Sequence, residues 1–372
     1  MNGYFIPFGA RRIVSVNKKI DMQLQQFSTI AMIEEINVDI ELKSFLRNAL
    51  SVFPFIDLPW DYSEAYQKID IPDFIFIRRT GADRRLIKFL KYIKNRFPNC
   101  KILMEVATYP YIKESLQRIE GCLLLPKDFY NERKLKKYVD KVVTYSDDAT
   151  IWGIPTIRIM NGIVVEHVKP IYDVKAKEDN TIRLLAVAVF RKAHGYERCI
   201  KGLAEYYQNR PSRIIEIHIV GDGTELNYYK QLVMKYNLEK FVYFYGKKTG
   251  EVLDEIYNNK DIGLGAFGFY KVGMSRSSIL KTREYLAKGL PVISGCIEDV
   301  FERTGNYQYF LQFSNDSSIV DMNEVVKFYE RIYGSGIERN VVHKEIREFA
   351  EKNVGMKVVM KPVLQYLKGE EV

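Results

Sequence analysis

The chain has 372 residues, of which 47% are hydrophobic and 13% aromatic, enough to build a packed interior and too many for a disordered protein. The formal net charge is +9, and residues 1–170 carry 26 basic against 20 acidic side chains. This basic first half predicts an anionic partner, such as a phosphorylated substrate, a lipid surface or nucleic acid. A basic protein without such a partner is the alternative.

Cysteine and histidine spacing argues against disulfides and metal sites. The four cysteines form no C-x-x-C pair, so we predict reduced thiols in a cytoplasmic protein. The four histidines fall at no metal-ligand spacing, and we therefore predict no metal. The longest apolar run, 184–190, is too short to span a membrane, and the first residues lack the charge order of a signal peptide.

Short β-rich runs alternate with helical patterns along the chain. In chain order, the predicted strands are 4–8, 73–78, 101–106, 141–146, 156–162, 183–189, 214–221, 242–246, 261–266 and 291–295. Continuous Val, Ile and Leu within these runs indicates strands that are buried on both faces of a parallel sheet. Between them, apolar residues at three- and four-residue spacing predict amphipathic helices, as in 82–97 and 224–238. Two successive α/β sheets are therefore predicted.

The polar segment 165–182 separates the two series of strands and contains Pro170. It predicts a first domain over 1–168 and a second over 169–355. The last segment, 356–372, is predicted as a helix after a break at Gly355, and it could cross back to brace the first domain.

The stretch "SRSSILKTREYLAKGLPVISG" predicts a candidate anion site. A serine cluster at 275–278 supplies helix-capping oxygens, the helix runs through 280–287, and Gly289 and Pro291 stop it. Free backbone N–H groups at a helix start, together with the dipole, attract anions. The basic side chains Lys281 and Arg283 add full charges. An ordinary solvated helix face is the alternative.

Two further turns follow predicted strands. Arg191, Lys192 and His194 come directly after 183–189, where ligands bind in open α/β folds. Gly221 and Gly223 end the next strand and would let the backbone approach a ligand. The full G-x-G-x-x-G pattern is absent, which argues against a nicotinamide dehydrogenase.

Together, "VAVFRKAHGYERCIKGL", "IVGDGTEL", "VYFYGKKTGEVLDEIYNNKDIGLG" and "REYLAKGLPVISG" resemble the carboxyl-terminal domain of retaining glycosyltransferases of family four, in a surface-polysaccharide subgroup. "IRIMNGIVVE" and "NKKIDMQLQQF" resemble that family's segment before the linker and its first helix. The resemblance implies the GT-B fold, in which two Rossmann-like domains face each other across a cleft. It also implies a nucleotide-sugar donor held mainly by the second domain.

The family has two glutamates with seven residues between them. Glu284 matches the second, which in the family holds the ribose, whereas Arg276 stands at the first. The resemblance implies catalytic roles for Lys281, Arg191 and Glu105. The donor site that it implies consists of Lys192, His194, Gly221, Gly223, Gly246, Ser278, Ile279, Leu280, Arg283 and Glu284.

The first domain would then bind the acceptor. The acceptor-side candidates are Lys18, Lys19, Arg78, Thr108 and Tyr109, for each of which packing or a solvated face is the alternative.

We expect a metal-independent hexosyltransferase that moves a hexose or N-acetylhexosamine from a UDP- or GDP-linked donor to a glycan on a lipid diphosphate, without a separate cofactor. The enzyme would be cytoplasmic and peripheral at the inner membrane face. The alternatives are a catalytically silent GT-B subunit and a nucleic-acid-binding protein. Dispersed basic residues without a recognised motif argue against the last, so no nucleic-acid partner is expected.

Overall fold

The computed structural model describes the chain except residues 13, 40–50, 52, 54–55, 80, 108, 112–118, 172–178, 210, 335, 337 and 371–372. Two compact units divide it: Met1–Met160 with Val359–Val372, and Asn161–Val358. We predicted the first domain to end at 168, whereas 161–168 belong to the second unit. Part of the predicted linker, 172–178, lies outside the described residues.

The first unit is built on a seven-stranded sheet in the order β2-β1-β3-β4-β5-β7-β6. Its strands are β1 (Asn2–Ile6), β2 (Met32–Glu35), β3 (Phe74–Arg78), β4 (Lys101–Val106), β5 (Lys141–Thr144), β6 (Thr150–Ile151) and β7 (Ile154–Arg158). Among the described residues of this sheet, neighbouring strands pair in parallel except β6 and β7, which pair antiparallel. The helices are α1 (Val14–Phe27), α2 (Ser63–Lys68), α3 (Arg84–Arg96) and α4 (Ile119–Leu135).

Helix α3 illustrates how local sequence builds this unit. The carboxylate of Asp83 accepts a hydrogen bond from the N–H of Leu86 at 2.8 Å and thereby caps the helix. Leu86, Phe89, Leu90 and Ile93 are buried, at the three- and four-residue spacing that places them on one face. That face packs into the sheet core.

The second unit is built on a six-stranded parallel sheet in the order β10-β9-β8-β11-β13-β15, with a separate pair β12-β14. Its strands are β8 (Thr181–Val189), β9 (Ile214–Asp222), β10 (Val242–Gly246), β11 (Ile262–Leu264), β12 (Arg276–Ser277), β13 (Val292–Ser294), β14 (Ile297–Glu298) and β15 (Phe310–Gln312). The helices of this unit are α5 (Glu197–Gln208), α6 (Leu226–Lys235), α7 (Gly250–Asn258), α8 (Leu280–Lys288), α9 (Asp299–Thr304), α10 (Met322–Tyr333) and α11 (Arg339–Asn353), and the last helix, α12 (Met356–Lys368), begins here. The predicted α/β class with two parallel-sheet domains is confirmed.

Most of α12 belongs to the first unit. The ammonium of Lys101, at the start of β4, donates to the carbonyls of Tyr366 at 2.9 Å and Leu367 at 3.0 Å. These carbonyls lie in the last turn of α12, where a cation satisfies free acceptors and complements the helix dipole. The final helix is thereby held against the sheet of the first unit.

Candidate active site

The candidate site lies at the carboxyl edge of the second unit's sheet, where the turns after β8 and β11 meet. The N–H of Phe267 donates to the carbonyl of His194 at 2.8 Å, and that of Gly268 donates to Ala193 at 3.1 Å. Gly195 adopts φ +63°, and a Cβ there would lie 2.4 Å from the nitrogen of Gly268. Because only glycine accommodates both the conformation and the approach, these turns form one continuous backbone surface.

Lys281 points its ammonium at this surface. Its Nζ donates to the hydroxyl of Tyr196 at 2.6 Å and to the carbonyl of Gly265 at 3.3 Å. Both acceptors are neutral, and burial lowers the pKa of Lys281 to about 7, against the opposing pull of the Glu298 carboxylate. An anion that bound here would restore the full positive charge.

The start of α8 has no side-chain cap. Its N-cap residue is Ile279, which is extended and makes no side-chain cap. The first backbone N–H groups of the helix, from Leu280 onward, therefore lack a side-chain acceptor at the cap. The prediction that serine hydroxyls cap this helix was wrong. The Ser278 hydroxyl instead accepts a hydrogen bond from the N–H of Asn161 at 3.1 Å.

Arg283 lies in a buried ionic cluster with Glu298 and Asp299. It has no exposed surface, donates to the Asp299 carboxylate, and lies 3.5 Å from that of Glu298. Its guanidinium also donates to the carbonyl of Asn161 at 3.1 Å and to the Ser278 hydroxyl at 3.3 Å. A side chain with no exposed surface does not contact a ligand. We therefore reassign Arg283 from donor binding to positioning the start of α8.

His194 is held in one tautomer. The backbone N–H of Arg191 donates to its Nδ1 at 2.9 Å, so the ring proton of the neutral imidazole lies on Nε2. Burial and the charge of Lys281 lower the pKa of His194 to about 3. The ring is therefore a neutral donor near pH 7. The side chains of Arg191 and Lys192 are exposed beside it.

Gly221 and Gly223 have a packing role that the sequence did not reveal. A Cβ on Gly221 would lie 1.9 Å from the carbonyl oxygen of Ala188, and one on Gly223 would lie 2.4 Å from the nitrogen of Phe190. Both have strongly positive φ. The two glycines allow the chain at the ends of β8 and β9 to pack closely. This close packing explains why glycine stands at both positions without any contact to a ligand.

The remaining donor-side candidates lie at the ends of other elements. Gly246 ends β10 with φ +66° and has open space where a Cβ would be. Glu284 lies half-buried in the first half of α8.

In the first unit, Glu105 and two acceptor-side candidates form one buried cluster. The Glu105 carboxylate lies 2.9 Å from the ammonium of Lys19 and 2.9 Å from the guanidinium of Arg78. It also accepts from the Tyr145 hydroxyl at 2.7 Å and the Gln23 amide at 3.1 Å. Burial alone would raise the pKa of Glu105, but these cations and the hydroxyl bring it down to about 2. With its side chain fully enclosed, Glu105 is reassigned from catalysis to positioning Lys19 and Arg78.

The other acceptor-side candidates are not gathered in this cluster. Lys18 is exposed on α1, and Tyr109 is half-buried after β4, 6.4 Å from the ring of Tyr111. Thr108 lies outside the described residues.

Sequence reasoning missed Tyr196 and Glu298. Tyr196 holds Lys281 by its hydroxyl, and that hydroxyl donates to the carbonyls of Leu264 and Gly265. Glu298 accepts from the Ser294 hydroxyl at 3.2 Å, and burial raises its pKa. The only available signal was position, because both residues follow predicted strand ends at the same edge of the sheet.

Across the described part of the chain, no group of three His, Cys, Asp or Glu side chains is arranged to hold a metal ion. In the same residues, no helix has both the length and the apolar character needed to cross a membrane. Cys100, Cys199 and Cys296 are buried free thiols.

Residues 169–265 match the family model described as Glycosyl transferases group 1. The second unit therefore carries a glycosyltransferase domain. This match confirms the predicted enzyme class. The full sequence has no significant match among curated proteins.

Solved glycosyltransferase structures share the fold of this glycosyltransferase over its whole length. Sucrose-phosphate synthase from Thermosynechococcus elongatus superposes with a TM-score of 0.65 at 14% identity, covering 99% of both chains. The lipopolysaccharide outer core galactosyltransferase WaaB gives 0.60 at 14%, again covering 99% of both. Anabaena HepE, solved with UDP and glucose, gives 0.59 at 12% and covers 99% of this chain and 100% of HepE. At these identities the likeness shows the fold, which is the predicted GT-B fold.

Proposed function

We propose that this enzyme transfers a hexose or N-acetylhexosamine from a UDP- or GDP-linked donor to a lipid-linked glycan, during surface polysaccharide synthesis at the cytoplasmic membrane face. The domain match and the structure of HepE with UDP and glucose support a nucleotide-sugar donor. The basic first half of the chain supports an anionic, lipid-diphosphate acceptor.

The observation that carries the proposal is the Lys281 ammonium beside the uncapped start of α8. Its two hydrogen-bond acceptors, Tyr196 and Gly265, are neutral. A diphosphate in this place would receive helix N–H donors, the lysine and the exposed Arg191 and Lys192.

The chemistry follows from where charge develops. Breaking the bond between the anomeric carbon and the β-phosphate oxygen leaves a nucleoside diphosphate, so negative charge grows on that oxygen. Preorganised donors aimed at it lower the barrier, and one such donor is worth roughly 2.7–4 kcal/mol. Lys281 and Arg191 act as these donors, with neutral His194 adding its Nε2–H. The cations take the place of a divalent metal.

Retention is the stereochemical part of the proposal. The acceptor hydroxyl attacks on the face that the diphosphate leaves, and the departing phosphate oxygen takes the proton of that hydroxyl. No covalent intermediate on the enzyme is required. An NMR spectrum of the first-formed product, with the anomeric configuration of the donor preserved, tests this.

The binding test is a thermal-shift series with UDP, GDP and their hexose conjugates. A ligand that binds only the folded state adds about 2.7 kcal/mol of stability at a hundredfold excess over Kd. We expect Glu284→Ala to remove most of this stabilisation, because Glu284 is proposed to hold the ribose. The matched control is Glu255→Ala on the exposed face of α7. No stabilisation by any nucleotide, or equal loss in both variants, would reject the site.

A catalytically silent subunit is the second candidate, and Arg276 favours it. Arg276 stands where the family resemblance expects the first glutamate, and its guanidinium lies 2.5 Å from the Glu302 carboxylate. The silent subunit would be established if nucleotides stabilised the protein but no sugar nucleotide were transferred or even slowly hydrolysed. Transfer would exclude it.

A further inference from the structure

A cavity of about 280 Å³ lies in the first unit, between α4 and the turn that joins β6 to β7. It is lined by Phe129, Glu132, Arg133, Lys136 and Trp152. Sites for drug-sized ligands have volumes of about 300–1,000 Å³. This slightly smaller cavity suits a smaller ligand, about as large as one sugar residue. The candidate residues described above do not line it.

The turn holds Trp152 in an unusual conformation. β6 and β7 pair antiparallel with Ile151 opposite Ile154, so Trp152 and Gly153 form a two-residue hairpin loop. Both have positive φ, +54° and +75°. Such a turn favours Asn-Gly, and a bulky side chain with positive φ is uncommon, although Phe8 and Ile71 share this feature here. Here the strained position places an indole in the cavity wall.

The opposite wall combines an aromatic ring with cations. Phe129 is 42% exposed, and Arg133 near the end of α4 and Lys136 just after it are also exposed. The aliphatic part of Lys136 packs against the hairpin, because its Cδ lies 3.8 Å from where a Cβ on Gly153 would be. Lys136 and Trp152 therefore line the same cavity, with the lysine stem next to the hairpin.

The one acid in the lining is already compensated. Glu132 is 1% exposed, accepts from the Arg79 guanidinium at 2.9 Å, and also accepts from the Tyr111 hydroxyl. The Arg79 guanidinium lies 5.7 Å from the Trp152 ring centroid. The charge that a ligand meets in the cavity is therefore positive.

We propose that this cavity binds a sugar residue that carries an anionic group, either a carboxylate or a phosphate. The flat apolar face of a sugar ring packs on Trp152 or Phe129, and Arg133 and Lys136 hold the anion by charge-assisted hydrogen bonds. Taking this sugar as part of the glycan acceptor rests on the proposed function. The binding itself does not, and it would give the enzyme a preference for acidic glycans.

Trp152 provides a direct readout because the chain has only two tryptophans. The other, Trp60, packs edge-on against Phe8 at 5.6 Å, and Trp60→Phe keeps an aromatic ring there. In that variant, Trp152 fluorescence is titrated with glucuronic acid, glucose 6-phosphate and neutral glucose. We expect a saturable change with one or both anionic hexoses and at least a tenfold weaker response to glucose.

The variants Arg133→Gln and Lys136→Gln should each weaken binding roughly tenfold, since each removes a charged donor worth at least one factor of ten. Lys88→Gln, on an exposed position of α3, is the matched control and should change nothing. Calorimetry on the unaltered chain repeats the titration should Trp60→Phe fail to fold. The stabilisation of the protein by UDP is measured in parallel. If UDP does not stabilise the protein, the proposed function is rejected, but the proposal of a binding site in this cavity is not affected.

Three results would overturn the proposal. One is an equal response to glucose, and another is binding that neither Arg133→Gln nor Lys136→Gln weakens. The third is a Trp152 response to phosphatidylglycerol vesicles but to neither anionic hexose. That result would make the surface a membrane contact.

Discussion

The two units treat buried cations in opposite ways at the carboxyl edges of their sheets. In the first unit, Lys19 lies 2.9 Å from the Glu105 carboxylate, which also meets Arg78. In the second, within the part of the chain that the structure describes, the Lys281 ammonium donates to two neutral oxygens, the Tyr196 hydroxyl and the Gly265 carbonyl. A buried cation with a carboxylate is part of the folded framework, whereas one without it is poised to accept an anion from outside.

The largest expected effect tests the framework side of this comparison. Glu105→Ala should lower the free energy of unfolding by about 3–5 kcal/mol, because it leaves two buried cations without their counter-ion. Glu64→Ala, which breaks the solvent-screened i,i+4 pair with Lys68, should cost far less. Chemical denaturation followed by circular dichroism measures both. Equal losses would mean that the Glu105 cluster is not a structural ion pair.

The next effect tests the binding side. Lys281→Met should change the free energy of unfolding by less than about 1 kcal/mol, because an apolar chain replaces a buried cation that makes no ion pair with a carboxylate among the described residues. The same variant should lose the nucleotide stabilisation of about 2.7 kcal/mol expected at a hundredfold excess. Lys235→Met, at an exposed position of α6, is the control and should retain it. A Lys281→Met chain that still responds fully to UDP contradicts the proposed site.

A smaller effect concerns pH and nucleotide affinity. The pKa of Lys281 lies near 7 in the free protein, so above pH 7 the lysine must take up a proton to hold a diphosphate. Affinity for UDP should then fall with rising pH, by up to about tenfold per unit. Calorimetry in buffers of different ionisation enthalpy should show proton uptake at pH 8. If the Lys281→Met variant still took up a proton on binding UDP, a group other than Lys281 would be responsible.

The smallest effect concerns His194. Its pKa is lowered from 6.5 to about 3, so between these values the unfolded chain binds more protons than the folded one. Stability should therefore rise as pH rises through that window, and the part of this rise between pH 6 and pH 6.5 should come to less than about 1 kcal/mol. His194→Asn should flatten this part of the pH profile. An unchanged profile would show that His194 is not the group responsible.

The sequence predicted the sheets well because their signal is local. Each of the ten predicted strands overlaps an observed one, since continuous apolar runs mark strands buried on both faces. The missed strands are β2, β6, β12, β14 and β15, each of two to four residues. In β2 the sequence "MIEE" contains only two apolar residues, too few to show a period.

Long-range pairing caused the failures. Judged from its charged neighbours Arg133 and Lys134 alone, Glu132 would lie on a solvated helix face. It is instead 1% exposed and paired with Arg79, 53 residues earlier in the chain. The helix-capping prediction before α8 was wrong for a similar reason. The Ser278 hydroxyl accepts a hydrogen bond from the N–H of Asn161, 117 residues earlier in the chain.

By itself, the sequence determined the parallel α/β class, the positions of the principal strands, and the edge of the second sheet at which Lys281 and His194 follow strand ends. Periodicity and chain order carry that information within a few residues. Only the tertiary structure decided which charged side chains are paired with a counter-ion. Burial and counter-ions depend on residues brought together from distant segments, and they separate Arg283, neutralised by Asp299, from Lys281, which faces neutral oxygens.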